Sequence, residues 1–475
     1  MQVSLTTLLG LVVICATSFI SAAVVPSHIY TERGLVPLPQ NDDFYASAPG
    51  YQNAKNGDVL KSRQVVIGVL GLLPEPVEAY QVQYRTESVN RTAITSVTTI
   101  MKPVAAKTDK FVSFHTAEDS NGPQCAPSYT YRVGADQESA IVTAENLIIQ
   151  TYLFQGYIVS SPDYEGPDGA FGAGKLAGTG VLDSIRAAKN FGSKVGLIAQ
   201  PAIVGVGYSG GGIATGWAAG LQPTYAPDLD QNIKGWSSGG TPANLTSVVE
   251  LIDGTFWAGF LPAAIAGLAT PSAYGQTAIP LINELATADG QAALAFARKN
   301  CAVADLGNFA FQKVADTKFQ KEGDRFLYDP RVSALVNNQT MGVNPSQRPT
   351  KPVLLYHSLN DEIIPFAPAE KLADSWCSQG SSVQFVNLAN GGHITGELAG
   401  VVLGNQFVND AFAGKVPTTG CTKRSELTSI LNPLALGASL EPILFKLIDL
   451  LGKAGQNDSN IKANPSIFTN PQVSS

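Results

Sequence analysis

Two hydrophobic rhythms alternate along the chain. VEAYQVQYRT (77–86) and AITSVTTIMKP (93–103) switch between apolar and polar residues at nearly every step, the period of a strand with two unlike faces. That pattern predicts a pair of antiparallel strands at a sheet edge. KFVSFHT (110–116), YIVSSPD (157–163) and AIVGVGYS (202–209) are β-rich and apolar, as strands covered on both faces are. IKGWSS (233–238), KPVLLYHS (351–358) and SVQFVNL (382–388) continue the series. Between the later strands the apolar spacing becomes helical, in GVLDSIRAAKNFG (180–192), GGIATGWAAGLQ (211–222) and PAEKLADSWCS (368–378). Strands separated by helices predict an α/β chain, with a mostly parallel central sheet covered by helices on both sides.

The alternation stops between about Pro242 and Pro349. There the chain carries apolar helical runs such as FWAGFLPAAIAGLA (256–269) and GQAALAFARKN (290–300), with no buried strand. Because this stretch lies between two core strands, it is expected to be a helical cap inserted at 242–349 into a core built from 24–241 and 350–420. The Pro-, Gly- and Asn-rich segment from Val24 to about Ser62 is expected to wrap the surface. The tail, 421–475, contains LEPILFKLIDLLG (440–452), whose apolar residues have helical spacing and suit packing on the body.

The first residues change the picture of where the chain works. Leu8 to Ile20 is almost entirely apolar and ends in Ser21-Ala22-Ala23, a small-x-small cleavage signature. The run is short for a membrane span, so residues 1–23 are expected to be a signal peptide, and no other stretch has the length and apolarity to span a bilayer. Cys125, Cys301, Cys377 and Cys421 then remain, an even number in an oxidising route, and four cysteines allow three pairings. Metal binding is set aside, because no C-x-x-C pair is present and the histidines lie elsewhere. N-x-S/T sequons stand at Asn90, Asn244, Asn338 and Asn457. A net charge of -7 without any basic run speaks against nucleic-acid partners.

One strand ends in a constellation that carries chemistry. Gly207-Tyr208-Ser209-Gly210-Gly211 matches G-x-S-x-G, with a strand before it and a helix after it. In that setting the serine sits on a strained corner, its hydroxyl stands clear of the sheet, and Gly207 and Gly211 leave room for close packing. The N–H of Gly210 would open the helix and face a developing oxyanion. A phosphate-binding loop is the competing reading, but no lysine follows the glycines where such a loop needs one. A serine nucleophile requires a base, and the chain has four histidines, His28, His115, His357 and His393. Only His357 and His393 follow the serine. His357 ends a strand and is expected to be half buried. His393, in the glycine-rich turn ANGGHITGE, best fits the serine–acid–histidine order. Asp361 follows the 351–358 strand directly and is the expected acid, with Glu362 and Asp374 as alternatives.

Several stretches together resemble the fungal secretory lipases, the family that includes Candida antarctica lipase A. They are AEDSNGPQCAPSYTY (117–131), GYIVSSPDYEG (156–166), GTGVLDSIRAAKN (178–190), VGYSGGGIATGWAAGL (206–221), GWSSGGTPANL (235–245), NDEIIP (360–365) and GGHITGE (391–397). The resemblance covers roughly Pro39 to Cys421. It implies an α/β-hydrolase fold with a helical cap, an acyl-binding tunnel, and the triad Ser209, Asp361 and His393. It further implies an oxyanion hole at Gly210 and Asp119, and disulfides pairing Cys125 with Cys301 and Cys377 with Cys421. The expected activity is hydrolysis of lipid esters at an oil–water interface by a secreted enzyme, with no cofactor and no metal. A short-chain esterase or a serine peptidase on the same fold is the alternative, and a non-catalytic binding protein is a third reading that the intact triad disfavours.

Overall fold

The computed structural model describes residues 36–69, 71, 73–389 and 391–426. Its centre is a ten-stranded sheet. In chain order the strands are β1 (Val59–Val65), β4 (Val77–Glu87), β5 (Ala93–Pro103), β6 (Lys107–His115), β7 (Tyr157–Pro162), β8 (Ala202–Tyr208), β9 (Ile233–Gly239), β10 (Val353–Ser358), β11 (Val383–Leu388) and β12 (Cys421–Glu426). Two short strands, β2 (Gly68–Val69) and β3 (Leu73–Pro74), form a ribbon of their own. Across the sheet the order is β1-β4-β5-β7-β6-β8-β9-β10-β11-β12. From β7 to β12 every pairing is parallel, whereas β1, β4 and β5 are antiparallel to their neighbours.

The period-2 pattern of the strands sorts side chains onto two faces. On β6, Phe111 faces one side while Val112 and Phe114 face the other. On β10, Val353 and Leu355 join Phe111, and Leu354 and Tyr356 join Val112. The Phe111 face is covered by α2 (Gly174–Asn190), α3 (Gly210–Tyr225) and α10 (Phe366–Ser378). The Val112 face is covered by α1 (Ala140–Phe154) and α11 (His393–Phe412). Both layers are apolar and close-packed, so the strand ends that carry the site are held by a rigid body.

Three expectations are corrected here. The 77–86 and 93–103 runs are antiparallel strands, but not the edge, because β1 lies outside them. The segment up to Ser62 therefore does not merely wrap the surface: its end pairs with the sheet. The GGHITGE turn opens a twenty-residue helix, α11, with His393 as its first residue. Helix α1 also had no amphipathic stripe to reveal it, since nearly its whole circumference is buried.

Between β9 and β10 the named elements are helical. They include α4 (Leu245–Ile252), α5 (Phe260–Leu268), α6 (Gly275–Leu285), α7 (Ala288–Ala297), α8 (Ala302–Phe309) and α9 (Pro330–Asn337). This helical segment is tied to the core beside the sheet. Cys125 is bonded to Cys301, and the N–H of Ala302 donates to Ser120 Oγ at 2.9 Å. Trp257 and Leu306 pack on Ile363 and Ile364, in the loop after β10. A second disulfide joins Cys377 on α10 to Cys421 on β12. Residues 1–23, His28, the 440–452 run and Asn457 lie outside the described residues. No helix among the described residues is long and apolar enough to cross a membrane.

The two disulfides close spans of 176 and 44 residues. Chain entropy then assigns the Cys125–Cys301 bond the larger effect. Replacing both Cys125 and Cys301 by serine is expected to lower unfolding stability in guanidinium by about 5 kcal/mol, and replacing Cys377 and Cys421 by about 1 kcal/mol less.

Candidate active site

Ser209 follows β8 and precedes the first turn of α3. Its backbone has φ 55° and ψ -120°, a left-handed region that disfavours a residue with a Cβ. The conformation costs on the order of 1–3 kcal/mol, and surrounding bonds hold it. The N–H of Ser209 donates to Gly239 O at 3.0 Å, and its C=O accepts from Ile213 N at 3.0 Å. The corner closes only because its neighbours lack side chains. A Cβ on Gly207 would lie 2.3 Å from Gly211 O, and one on Gly211 would lie 1.9 Å from His115 O. A Cβ on Gly210 would lie 1.8 Å from Asp119 Oδ1. As the first residue of α3, Gly210 has an N–H with no partner within its helix.

The structure brings Ser209, His393 and Asp361 together. His393 Nε2 lies 2.8 Å from Ser209 Oγ, and His393 Nδ1 lies 2.7 Å from Asp361 Oδ2. The carboxylate keeps the proton on Nδ1, which leaves Nε2 as the acceptor for the serine hydroxyl. Asp361 Oδ1 in turn accepts from the N–H groups of Ile363 and Ile364, at 3.0 and 2.7 Å. Asp361 and His393 are buried while Ser209 is half buried, so the hydroxyl is the accessible end of the chain. Burial works to lower the His393 pKa, but the Asp361 carboxylate outweighs it and holds the imidazole above its ordinary value.

Neighbouring residues fix the imidazole. Tyr208, between Gly207 and Ser209, donates its hydroxyl to the C=O of His393 at 2.7 Å, and its ring packs beside the imidazole with centroids 5.0 Å apart. Glu362 Oε2 accepts the N–H of His393 at 3.0 Å. Glu362 thus serves the backbone of the histidine, while Asp361 takes its ring. Asp374 stands elsewhere, exposed and paired with Lys423 at 2.7 Å. Asp119 follows β6 with φ 50°, and its buried carboxyl reaches Gly210. Burial pushes Asp119 up to about 7. The Asp119 side chain is thus turned to Gly210.

The remaining described histidines are not in contact with the serine. His115 is fully buried, bonded to Ser113 Oγ at 2.9 Å and Thr215 Oγ1 at 2.7 Å, and burial lowers it to about 3. His357 is fully buried rather than half buried, and its Nε2 lies 3.4 Å from Asp361 Oδ2. Of the sequons, Asn90 and Asn338 are exposed, while Asn244 caps α4 by accepting from Ser247 N at 3.2 Å.

A family model described as secretory lipase matches residues 131–420. The chain belongs to the secretory lipase family. It is 39% identical over 436 residues to a secreted triacylglycerol lipase of Malassezia globosa, covering 90% of this chain and 94% of that one. A secreted triacylglycerol lipase of Malassezia furfur is 35% identical over 432 residues, covering 90% and 86%. Among solved structures, Candida antarctica lipase A in its closed state superposes with a TM-score of 0.78 at 29% identity, over 87% of this chain and 96% of that one. The esterase LipA of Xanthomonas oryzae shares the fold, at a TM-score of 0.59 and 16% identity over 75% of this chain and all of that one. The sheet and its flanking helices are those of an α/β-hydrolase.

The electrostatics of the secretory lipase site are measurable without substrate. In NMR titrations the His393 ring is expected to lose its proton above the ordinary histidine value of 6.5. Asp361→Asn removes the charge that raises it, so burial then dominates and the titration moves below that value.

Proposed function

We propose that this protein is a secreted triacylglycerol lipase that works through an acyl-enzyme. The observation that carries the reading is the chain of short contacts from Asp361 through His393 to a hydroxyl on a strained strand–helix corner. His393 Nε2 takes the proton of Ser209 as Oγ attacks the ester carbonyl. The tetrahedral oxyanion lies against the N–H of Gly210 and the loop of Asp119. The imidazolium then protonates the leaving alcohol, and water repeats the sequence to release the fatty acid. Asp361 holds the imidazole in the working tautomer and stabilises its charge throughout. Hydrolysis by this scheme consumes only the ester and one water, and the proton shuttles through His393.

The helical segment at 242–349 serves as a cap in this reading. Within it lies a cavity of about 160 Å³ whose lining is almost wholly apolar. Leu261, Ala278, Leu281, Ala293 and Leu335 are among its walls, and none of the three triad residues lines it. We assign it to the acyl chain, which would enter from Ser209. Burial in such a space contributes about 0.8 kcal/mol per methylene, which favours long acyl chains over acetate and speaks for a lipase over a short-chain esterase. Secretion agrees with the Malassezia relatives, which are secreted lipases, and with the apolar leader of residues 1–23, and the substrate is expected at an oil–water interface.

Two experiments test these assignments. Ser209→Ala is expected to lower kcat on p-nitrophenyl esters by about 10⁵-fold with the fold intact. Activity at the wild-type rate in the purified variant would refute the nucleophile. Ala278→Phe, which fills the cavity, is expected to cut kcat/KM on long-chain esters by about tenfold and leave acetate esters within about twofold. Equal losses on both would remove the acyl chain from that cavity.

A further inference from the structure

A second imidazole lies against the acid of the triad. His357, near the end of β10, is fully buried and makes one firm hydrogen bond: its Nε2 lies 2.9 Å from the carbonyl oxygen of Ile364. A carbonyl only accepts, so the proton of His357 is on Nε2. The same nitrogen lies 3.4 Å from Asp361 Oδ2, the oxygen that faces His393. Nδ1 of His357 is buried with no hydrogen-bond partner, and Phe366 packs edge-on against the ring with centroids 6.0 Å apart.

We propose that His357 is a positioning residue for the Asp361 acid, and that it limits how strongly that acid holds His393. The inference rests on the Ser209–His393–Asp361 reading. Two features carry it. First, Ile364 is gripped at both ends: its N–H is on Asp361 Oδ1 at 2.7 Å and its C=O is on His357. The acid and the second histidine thus clamp one peptide residue between them, which fixes the plane of the carboxylate. Secondly, Oδ2 lies 2.7 Å from His393 Nδ1 and 3.4 Å from His357 Nε2, whose proton goes to Ile364 O, so the second ring places the positive edge of its dipole beside Oδ2 rather than a second hydrogen bond. Charge drawn by one is not available to the other.

A space-filling role does not account for these contacts. Leucine would fill the volume without the cost of burying a nitrogen that has no partner. Protonated His357 would place a second cation beside His393 and weaken the base. Burial, the larger effect, keeps His357 below its ordinary pKa, although the Asp361 carboxylate pulls the other way. The other ionisable groups around the pair are Tyr208 beside the His393 ring, Glu362 on the same loop, Glu397 on α11 and Asp119 on the loop after β6. None of them touches His357 Nε2 in the way that Asp361 and Ile364 do.

Replacing His357 tests the idea. In His357→Leu, Oδ2 has only His393 to serve, so His393 holds its proton to higher pH. The acid limb of kcat/KM is expected to rise by about half a pH unit, and kcat to fall about tenfold with KM within about twofold. His357→Gln places an amide N–H near the lost Nε2–H and is expected to restore both. A folded His357→Leu enzyme with wild-type kcat and pH profile overturns the proposal. So do equal losses in the leucine and glutamine variants with an unmoved profile, which is the signature of packing alone. Should the leucine variant not fold, ¹⁵N NMR of the unaltered enzyme decides. The proposal requires a neutral His357 protonated on Nε2, and an imidazolium or the opposite tautomer overturns it. Failure of the triad reading looks different, because Ser209→Ala would then retain activity.

Discussion

Ser209 occupies a backbone conformation that a serine does not adopt unaided, and much of the sequence around it exists to keep it there. The strain is local, but its supports are spread through the fold. Gly239 on β9 receives the Ser209 N–H, and His115 at the end of β6 supplies a carbonyl that crowds Gly211. Three neighbouring parallel strands, β6, β8 and β9, therefore define the corner between them. A hydroxyl on a relaxed loop would sample many positions. A hydroxyl on this corner has one, and an imidazole 2.8 Å away can be placed against it in advance.

The same rigidity tolerates an unusual amount of buried acid. Glu118, Asp119, Glu145, Asp163, Glu165 and Glu397 are all buried near the strand ends. Most carboxyls in such surroundings keep their protons, because burial disfavours the charged form. Glu397 is pushed up to about 7 by burial and shares a hydrogen bond with Glu145, which burial raises further. Glu397 lies one helical turn beyond His393, and Glu145 accepts the N–H of Ala117, two residues before Asp119. Two buried carboxyls thus lie between the helix that begins at His393 and the loop beside Gly210. Asp361 is the exception that matters. It is equally buried, yet its pKa lies below the ordinary carboxylate value, because His393, His357 and the N–H of Ile364 outweigh burial. Asp361 is thus set apart from these acids by the direction of its shift as well as by its 2.7 Å contact with His393.

The sequence exposed this arrangement unevenly, for physical reasons. Strands covered on both faces announce themselves as apolar runs, and β6 to β11 were legible to within a few residues. Ser209, Asp361 and His393 were legible because chain order and strand ends leave little choice. Edge strands β1 and β12 were not, since VLKSRQV and CTKRSE are mixed or polar and half-exposed or exposed. Helix α11 was hidden by its opening glycines, which read as a turn but serve close packing: a Cβ on Gly396 would lie 2.3 Å from Ser358 Oγ, and one on Gly400 would lie 2.2 Å from the Tyr356 ring. The services of Glu362, Tyr208 and His357 were invisible for a different reason. Each depends on contacts between segments far apart in the chain, which no local pattern encodes.

The acid loop shows how the helical segment and the chemistry come to depend on each other. Ile363 and Ile364 use their N–H groups to hold Asp361, and their side chains pack beneath Trp257 and Leu306 of the helical segment. On the other side, Ala302 at the start of α8 bonds Ser120, next to Asp119, and Cys301 is fastened to Cys125. Helix α8 therefore rests at once on the loop that carries the acid and on the loop that faces Gly210. Apolar packing is tightly distance-dependent, so displacement of α8 would be felt at both loops before it reached the serine. The helical segment thereby has a direct mechanical route to the charged groups of the site, through two isoleucines and one serine hydroxyl, whichever part of a substrate it covers.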